Sequence, residues 1–177
     1  MDWRLILTLV AFAVYFVYNC VAVCNFGAPK SLSMTYYNFS EPNPKLKWAF
    51  PAMMVGMAML LMPAWLDLSE GHNLQFMSFL AAVGIIGVGM VPNFKDGRFE
   101  KGLHTGAALF AALFAILWVC LVANMWYVVL VWTILLAAIM LLSKTTKTSW
   151  IYWLETVAFA STFTSIVCYY LVNFYRV

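Results

Sequence analysis

Residues 104–142, HTGAALFAALFAILWVCLVANMWYVVLVWTILLAAIMLL, run without an Asp, Glu, Lys or Arg. A continuous helix rising about 1.5 Å per residue would far overshoot the roughly 30 Å hydrocarbon core of a bilayer. Ala123-Asn124, with Trp126 and Tyr127 close behind, supplies a tight turn carrying the amphipathic rings favoured at a membrane interface. The stretch therefore divides into two spans, 103–122 and 125–142. Working outward, the same length and apolarity recur at 5–24, 48–66, 76–92 and 150–174. The runs are continuous and lack the in/out alternation of barrel strands, which selects helices.

Composition agrees. The chain is 65% hydrophobic and 10% charged, against about half and about a quarter in soluble domains. The expected fold is an all-α integral membrane protein, a bundle of six transmembrane helices forming one polytopic domain over residues 1–177. Arg4 ahead of an apolar run imitates a signal peptide, but the run is long and no small-x-small cleavage site follows, so it reads as a retained first span.

Lys and Arg fall on alternate loops: Lys30, Lys45 and Lys47 in the first, Lys95, Arg98 and Lys101 in the third, Lys144 and Lys147 in the fifth. Only Arg4 and Arg176 lie on the other side. The positive-inside rule makes the odd loops cytoplasmic and puts the N- and C-termini on the non-cytoplasmic side. The net charge of +3 is thereby a topological signal, and no nucleic acid partner is expected. The sequon Asn38-Phe39-Ser40 is silent on this topology. Cys20, Cys24, Cys120 and Cys168 all lie inside spans, where a disulfide framework or zinc ribbon would not place them. No metal or cofactor is expected.

No P-loop, GxSxG, HExxH or dinucleotide fingerprint is present. The informative residues are polar ones inside spans, which lipid makes expensive and which should face protein. Thr8, Ala11, Tyr15, Asn19 and Ala22 form one stripe of the first span. His104 heads Ala108, Ala111 and Ala115 in the fourth, and Glu155 heads Ala158, Thr162 and Ser165 in the sixth. Ala81, Gly84 and Gly87 add a close-packing face in the third. Asn19 and Glu155 each lie roughly 8 Å from the inner ends of their spans, and His104 begins its span from that side. One layer at the inner interface should hold all three, either as a polar lock on the bundle or as a ligand site.

Beneath that layer lies Gly27-Ala28-Pro29-Lys30-Ser31-Leu32-Ser33-Met34-Thr35-Tyr36-Tyr37. Pro29 stops the first helix. In an extended segment, Ser31, Ser33 and Thr35 share one face and Leu32, Met34 and Tyr36 the other. Such a segment either anchors at the interface through its tyrosines or lines a cavity with its hydroxyls. Asn93 and Lys95 of the third loop open onto the same place. The candidate ligand-binding residues are therefore Asn19, Ser31, Ser33, Thr35, Tyr36, Asn93, Lys95, His104 and Glu155. Asp67, Glu70 and His72 in the second loop lack a metal template and read as a solvated turn.

The motif G-x-P-K-S-L-S-x-T-Y-Y at 27–37, with Pro63-Ala64-Trp65, Val91-Pro92-Asn93-Phe94 and His104-x-x-Gly-Ala107, resembles a family of small polytopic membrane proteins from bacteria and their phages. The resemblance implies a bacterial origin, and with it a bacterial cytoplasmic membrane, and assigns no activity. Three functions follow from the residues. The first is binding or passage of a small polar or anionic solute through a cytoplasm-facing polar vestibule. The second is an enzyme acting on a lipid headgroup, with His104 as acid/base and a loop serine as nucleophile. The third is a structural or regulatory subunit, because small-residue stripes also serve a homo-oligomer or another membrane partner. Lipid bilayer is the one partner common to all three.

Overall fold

The structure is a computed structural model that describes residues 2–142 and 150–174. The described residues are mostly helical and form no strand. Seven α-helices appear in chain order: α1 Trp3–Phe26, α2 Thr35–Ser40, α3 Ala49–Leu68, α4 Phe76–Met90, α5 Arg98–Leu117, α6 Trp126–Leu142 and α7 Trp150–Phe174. Single-turn 3-10 segments at Leu32–Met34 and Pro44–Trp48 flank α2. Four stretches, Trp3–Phe26, Pro44–Leu68, Arg98–Val122 and Trp150–Val172, are long and apolar enough to cross a membrane. Phe76–Met90 and Trp126–Leu141 are apolar but shorter.

Helices α1, α3, α4, α5 and α7 pack as a closed ring in that order, and α6 lies against the outside of α7. Each end of the ring is fixed by polar contacts. At one end Arg4 of α1 pairs with Asp67 of α3 at 2.9 Å, and Tyr170 of α7 donates to the other Asp67 oxygen at 2.8 Å. Asp67 is thus a tie between three helices and not a solvated turn. Nearby, Trp118 Nε1 donates to Ser69 Oγ, which donates to the Trp65 carbonyl. The segment 27–48 lies at the opposite end, called here the loop end.

Helical periodicity explains which faces are inside. The buried positions of α1 are Leu5, Thr8, Ala11, Tyr15, Asn19 and Ala22, the stripe read from the sequence with Leu5 added. Its other faces expose Leu, Val and Phe side chains, a pattern suited to lipid. Ala111 and Ala115 of α5 and Ala158, Thr162 and Ser165 of α7 are also buried. The tightest approach is α4 on α5. A methyl group built on Gly84 would meet the Ala111 backbone at 2.7 Å, and one on Gly87 would meet Ala107 Cβ at 3.1 Å.

The split of 104–142 falls near the place read from sequence, by a different device. The end of α5 widens into a π-turn at Trp118–Val122, and Asn124 then adopts φ 52°. That left-handed conformation suits Asn better than most residues. It reverses the chain before Trp126. Lys144, Lys147 and Arg176, used above to assign orientation, lie outside the described residues.

Candidate functional site

The loop end is organised by residues 30–37, and they are not extended. After Ser31, which is extended at φ −152°, the chain turns through 3-10 geometry at Leu32–Met34 directly into α2. The expected division into a hydroxyl face and an apolar face is therefore wrong. Leu32, Ser33 and Thr35 are all buried together, while Ser31 and Tyr36 are half-buried. Alternation requires a two-residue period, and a local helical turn abolishes it.

Each buried group in this turn meets a different helix. The Leu32 amide, left unpaired by the start of the turn, donates to Glu155 Oε2 of α7 at 2.6 Å. The Tyr152 amide in the first turn of α7 donates back to the Lys30 carbonyl at 3.3 Å, using one of the N–H groups a helix start leaves free. Thr35 Oγ1 donates to the Leu32 carbonyl at 2.6 Å and accepts from the Tyr18 hydroxyl of α1 at 2.6 Å. Ser33 Oγ lies 2.7 Å from His104 Nε2 of α5.

His104 is 4% exposed and bonded on both ring nitrogens. Its Nδ1 lies 2.7 Å from the Val91 carbonyl, which can only accept, so Nδ1 carries the proton. In the neutral ring Nε2 is then the acceptor for the Ser33 hydroxyl. Phe94 stacks on the imidazole with centroids 4.6 Å apart. A hydroxyl, an imidazole and an orienting carbonyl in series are the arrangement of an activated nucleophile. They are equally an arrangement that fastens a loop.

Asn19 belongs to a neighbouring cluster. Its amide donates to the Tyr15 carbonyl at 2.8 Å, and its oxygen accepts from the Tyr152 hydroxyl at 3.0 Å. Lys95 and Asn93 sit on the outer side of the same end. The Lys95 amide donates to the Tyr37 hydroxyl at 2.8 Å, and its ammonium lies 4.1 Å from the Tyr37 ring centroid. Burial of the phenol raises the Tyr37 pKa, and the Lys95 amide works against that rise. Asn93 bonds to Asp96 within its own loop. Tyr36 contacts Tyr37 edge to face.

Behind the turn lies a cavity of about 50 Å³, where one water needs roughly 10–15 Å³. Leu32, Ser33 and Glu155 border it together with Phe50, Met54, Ile85, Val88 and the alanines of α5. Farther from the loop end it reaches Leu61 and Trp65. The walls are aliphatic and aromatic almost throughout, unlike the polar vestibule expected from sequence. His104 is not among the lining residues. Glu155 and His104 do not pair with each other. Among the described residues, the ion pairs are those of Arg4 with Asp2 and Asp67. No group of metal-ligating side chains forms among them either.

The structure thus gathers Asn19, Ser33, Thr35, His104 and Glu155 at one end of the ring, and leaves Ser31, Tyr36, Asn93 and Lys95 around its rim. Sequence reasoning missed Tyr18, Tyr152 and the Leu32 amide. Tyrosines near span ends read as interface anchors, and a main-chain donor leaves no mark in composition. The fold and site define a class, an all-helical protein with membrane-compatible helices and a folded loop closing one end. Neither a family model, nor a curated protein, nor a solved structure matches the chain.

Proposed function

We propose that six apolar helices, the four long ones and the shorter α4 and α6, cross the bilayer, with both termini on the non-cytoplasmic side of a bacterial cytoplasmic membrane, and that the central cavity binds a small molecule under the 27–48 loop. The alternating direction of the helices and the distribution of Lys and Arg support the topology. The loop motif supports placing the chain with small polytopic proteins of bacteria and phages.

The observation that carries the binding reading is the second oxygen of Glu155. Glu155 borders the cavity, and one oxygen takes the Leu32 amide. The other accepts from no donor among the described residues. An acceptor left at the edge of an apolar space is a place for a guest's donor. The apolar walls and the carboxylate favour an amphiphilic guest over the polar or anionic solute expected from sequence. Native mass spectrometry of the protein released from its own membrane should show a retained small molecule that is lost in Glu155→Leu. Bare protein throughout would overturn the reading.

Acyl transfer is the second reading, favoured by Ser33 Oγ at 2.7 Å from His104 Nε2 with Val91 orienting the ring. Its test is a fluorophosphonate probe, which should label wild type but not Ser33→Ala; no labelling at any concentration would remove the enzyme.

A further inference from the structure

We propose that the guest of the central cavity is a short-chain primary alkylammonium, methylammonium or ethylammonium in size, held by the second oxygen of Glu155. This deepens the binding reading and rests on it. Size sets the first limit. A cavity of about 50 Å³, at about 10–15 Å³ for each water-sized group, takes roughly three to five of them. That admits ethylammonium with a water beside it and excludes a long alkyl chain, a sugar or a nucleotide. Access sets the second. Among the described residues, the buried side-chain groups sealed off without a partner are the indole N–H groups of Trp65 and Trp153 and the Ser165 hydroxyl. The second oxygen of Glu155 accepts from no donor among the described residues, yet it is not one of those sealed atoms, so a guest can reach it.

The chemistry of the wall selects the head group. Its side-chain oxygens belong to Ser33, Glu155 and Thr162. Ser33 donates its hydroxyl hydrogen to His104 Nε2, and Thr162 donates to the Ala158 carbonyl at 2.8 Å. What these three side chains keep is acceptor capacity, so an anion, a ketone or an ether finds no side-chain donor there, whereas a primary ammonium brings donors. Charge then separates an ammonium from an alcohol. Among the described residues that border the cavity, Glu155 alone is charged, and a buried carboxylate is costly until a cation with matching hydrogen bonds sits beside it. Phe50 and Phe159 border the same space, and aromatic rings attract a cation. A bare Ca2+ or Mg2+ fits poorly, since each takes about six or more oxygen ligands, and Glu155 and Thr162 are separated by roughly 10 Å along α7. The alkyl group meets aliphatic walls such as Ile85, Val88 and Ala158.

The test is equilibrium binding of radiolabelled methylammonium to the protein in lipid nanodiscs, referenced to empty nanodiscs, with unlabelled competitors. Ethylammonium should displace the label at least as well as methylammonium itself. Hexylammonium, too long for the space, tetramethylammonium, which has no N–H, ethanol, which has no charge, and K+, which has no alkyl group, should each compete about tenfold or more weakly. Glu155→Gln keeps an oxygen for the Leu32 amide but removes the charge, and should weaken methylammonium binding by about tenfold or more. Unchanged binding in that variant would overturn the proposal. So would parity of hexylammonium, ethanol or K+ with ethylammonium, and this series on wild type decides the matter even where the variant fails to fold. If no label binds above the empty nanodisc while native mass spectrometry still shows a guest lost in Glu155→Leu, the alkylammonium is wrong and the binding reading stands. If the protein is bare in that experiment too, both fall.

Discussion

At the scale of single residues, the loop end turns on how few groups hold the Leu32–Met34 turn. His104→Ala would strip partners from both the Ser33 hydroxyl and the Val91 carbonyl, at a cost of about 1–3 kcal/mol for each group left buried and unpaired. Ser33→Ala should cost less, and the double variant should be barely worse than His104→Ala. A thermal-unfolding double-mutant cycle in detergent measures that coupling, and strict additivity would mean the 2.7 Å contact contributes nothing. Tyr18→Phe should weaken the same turn by about 1 kcal/mol, read as faster proteolysis of the 27–48 segment. Of the site, the sequence disclosed those residues whose chemistry is costly in lipid: Asn19, His104 and Glu155. It could not disclose that Glu155 would spend an oxygen on a backbone amide, because that depends on a turn whose geometry alternation misread.

At the scale of elements, α4 and α5 show how a short apolar helix is held. Gly84 sits where any Cβ would strike the Ala111 backbone, whereas a methyl on Gly56 of α3 meets nothing within 4 Å. Gly84→Ala should therefore destabilise by about 1–3 kcal/mol through overpacking, and Gly56→Ala should stabilise by about 0.5–1 kcal/mol through helix propensity. Denaturation of the two single variants against wild type checks the signs, and equal effects would refute the close approach. These faces were legible because small residues at three- and four-residue steps have one physical use, to let helices approach. The helix boundaries were legible within a few residues for the same reason: apolar length is set by a bilayer. Asp67 was not, since an acidic residue near a span end reads the same whether solvated or bound to Arg4 and Tyr170.

For the whole molecule, the proposed topology of six crossings puts both termini on one side. Single cysteines introduced on a background lacking Cys20, Cys24, Cys120 and Cys168 test this. A cysteine at Asp2 and one at Glu70 should react with an impermeant maleimide from outside, and one at Lys45 only from within. Reaction of Asp2 and Lys45 from the same side would overturn the topology. Periodicity could assign each helix its inner face but not the order of helices around the ring, which depends on contacts between residues far apart in the chain.

One of those contacts has a temporal meaning. The Leu32 amide is made early in synthesis, and the Glu155 carboxylate that receives it comes 123 residues later. Until α7 has been made and has packed, the turn at Leu32–Met34 lacks that partner and the Lys30 carbonyl lacks the Tyr152 amide. The first loop is therefore finished by the last helix. A chain released after residue 142 should carry its early helices and still present the 27–48 segment to protease, and protection should arrive only when α7 is supplied, even as a separate peptide.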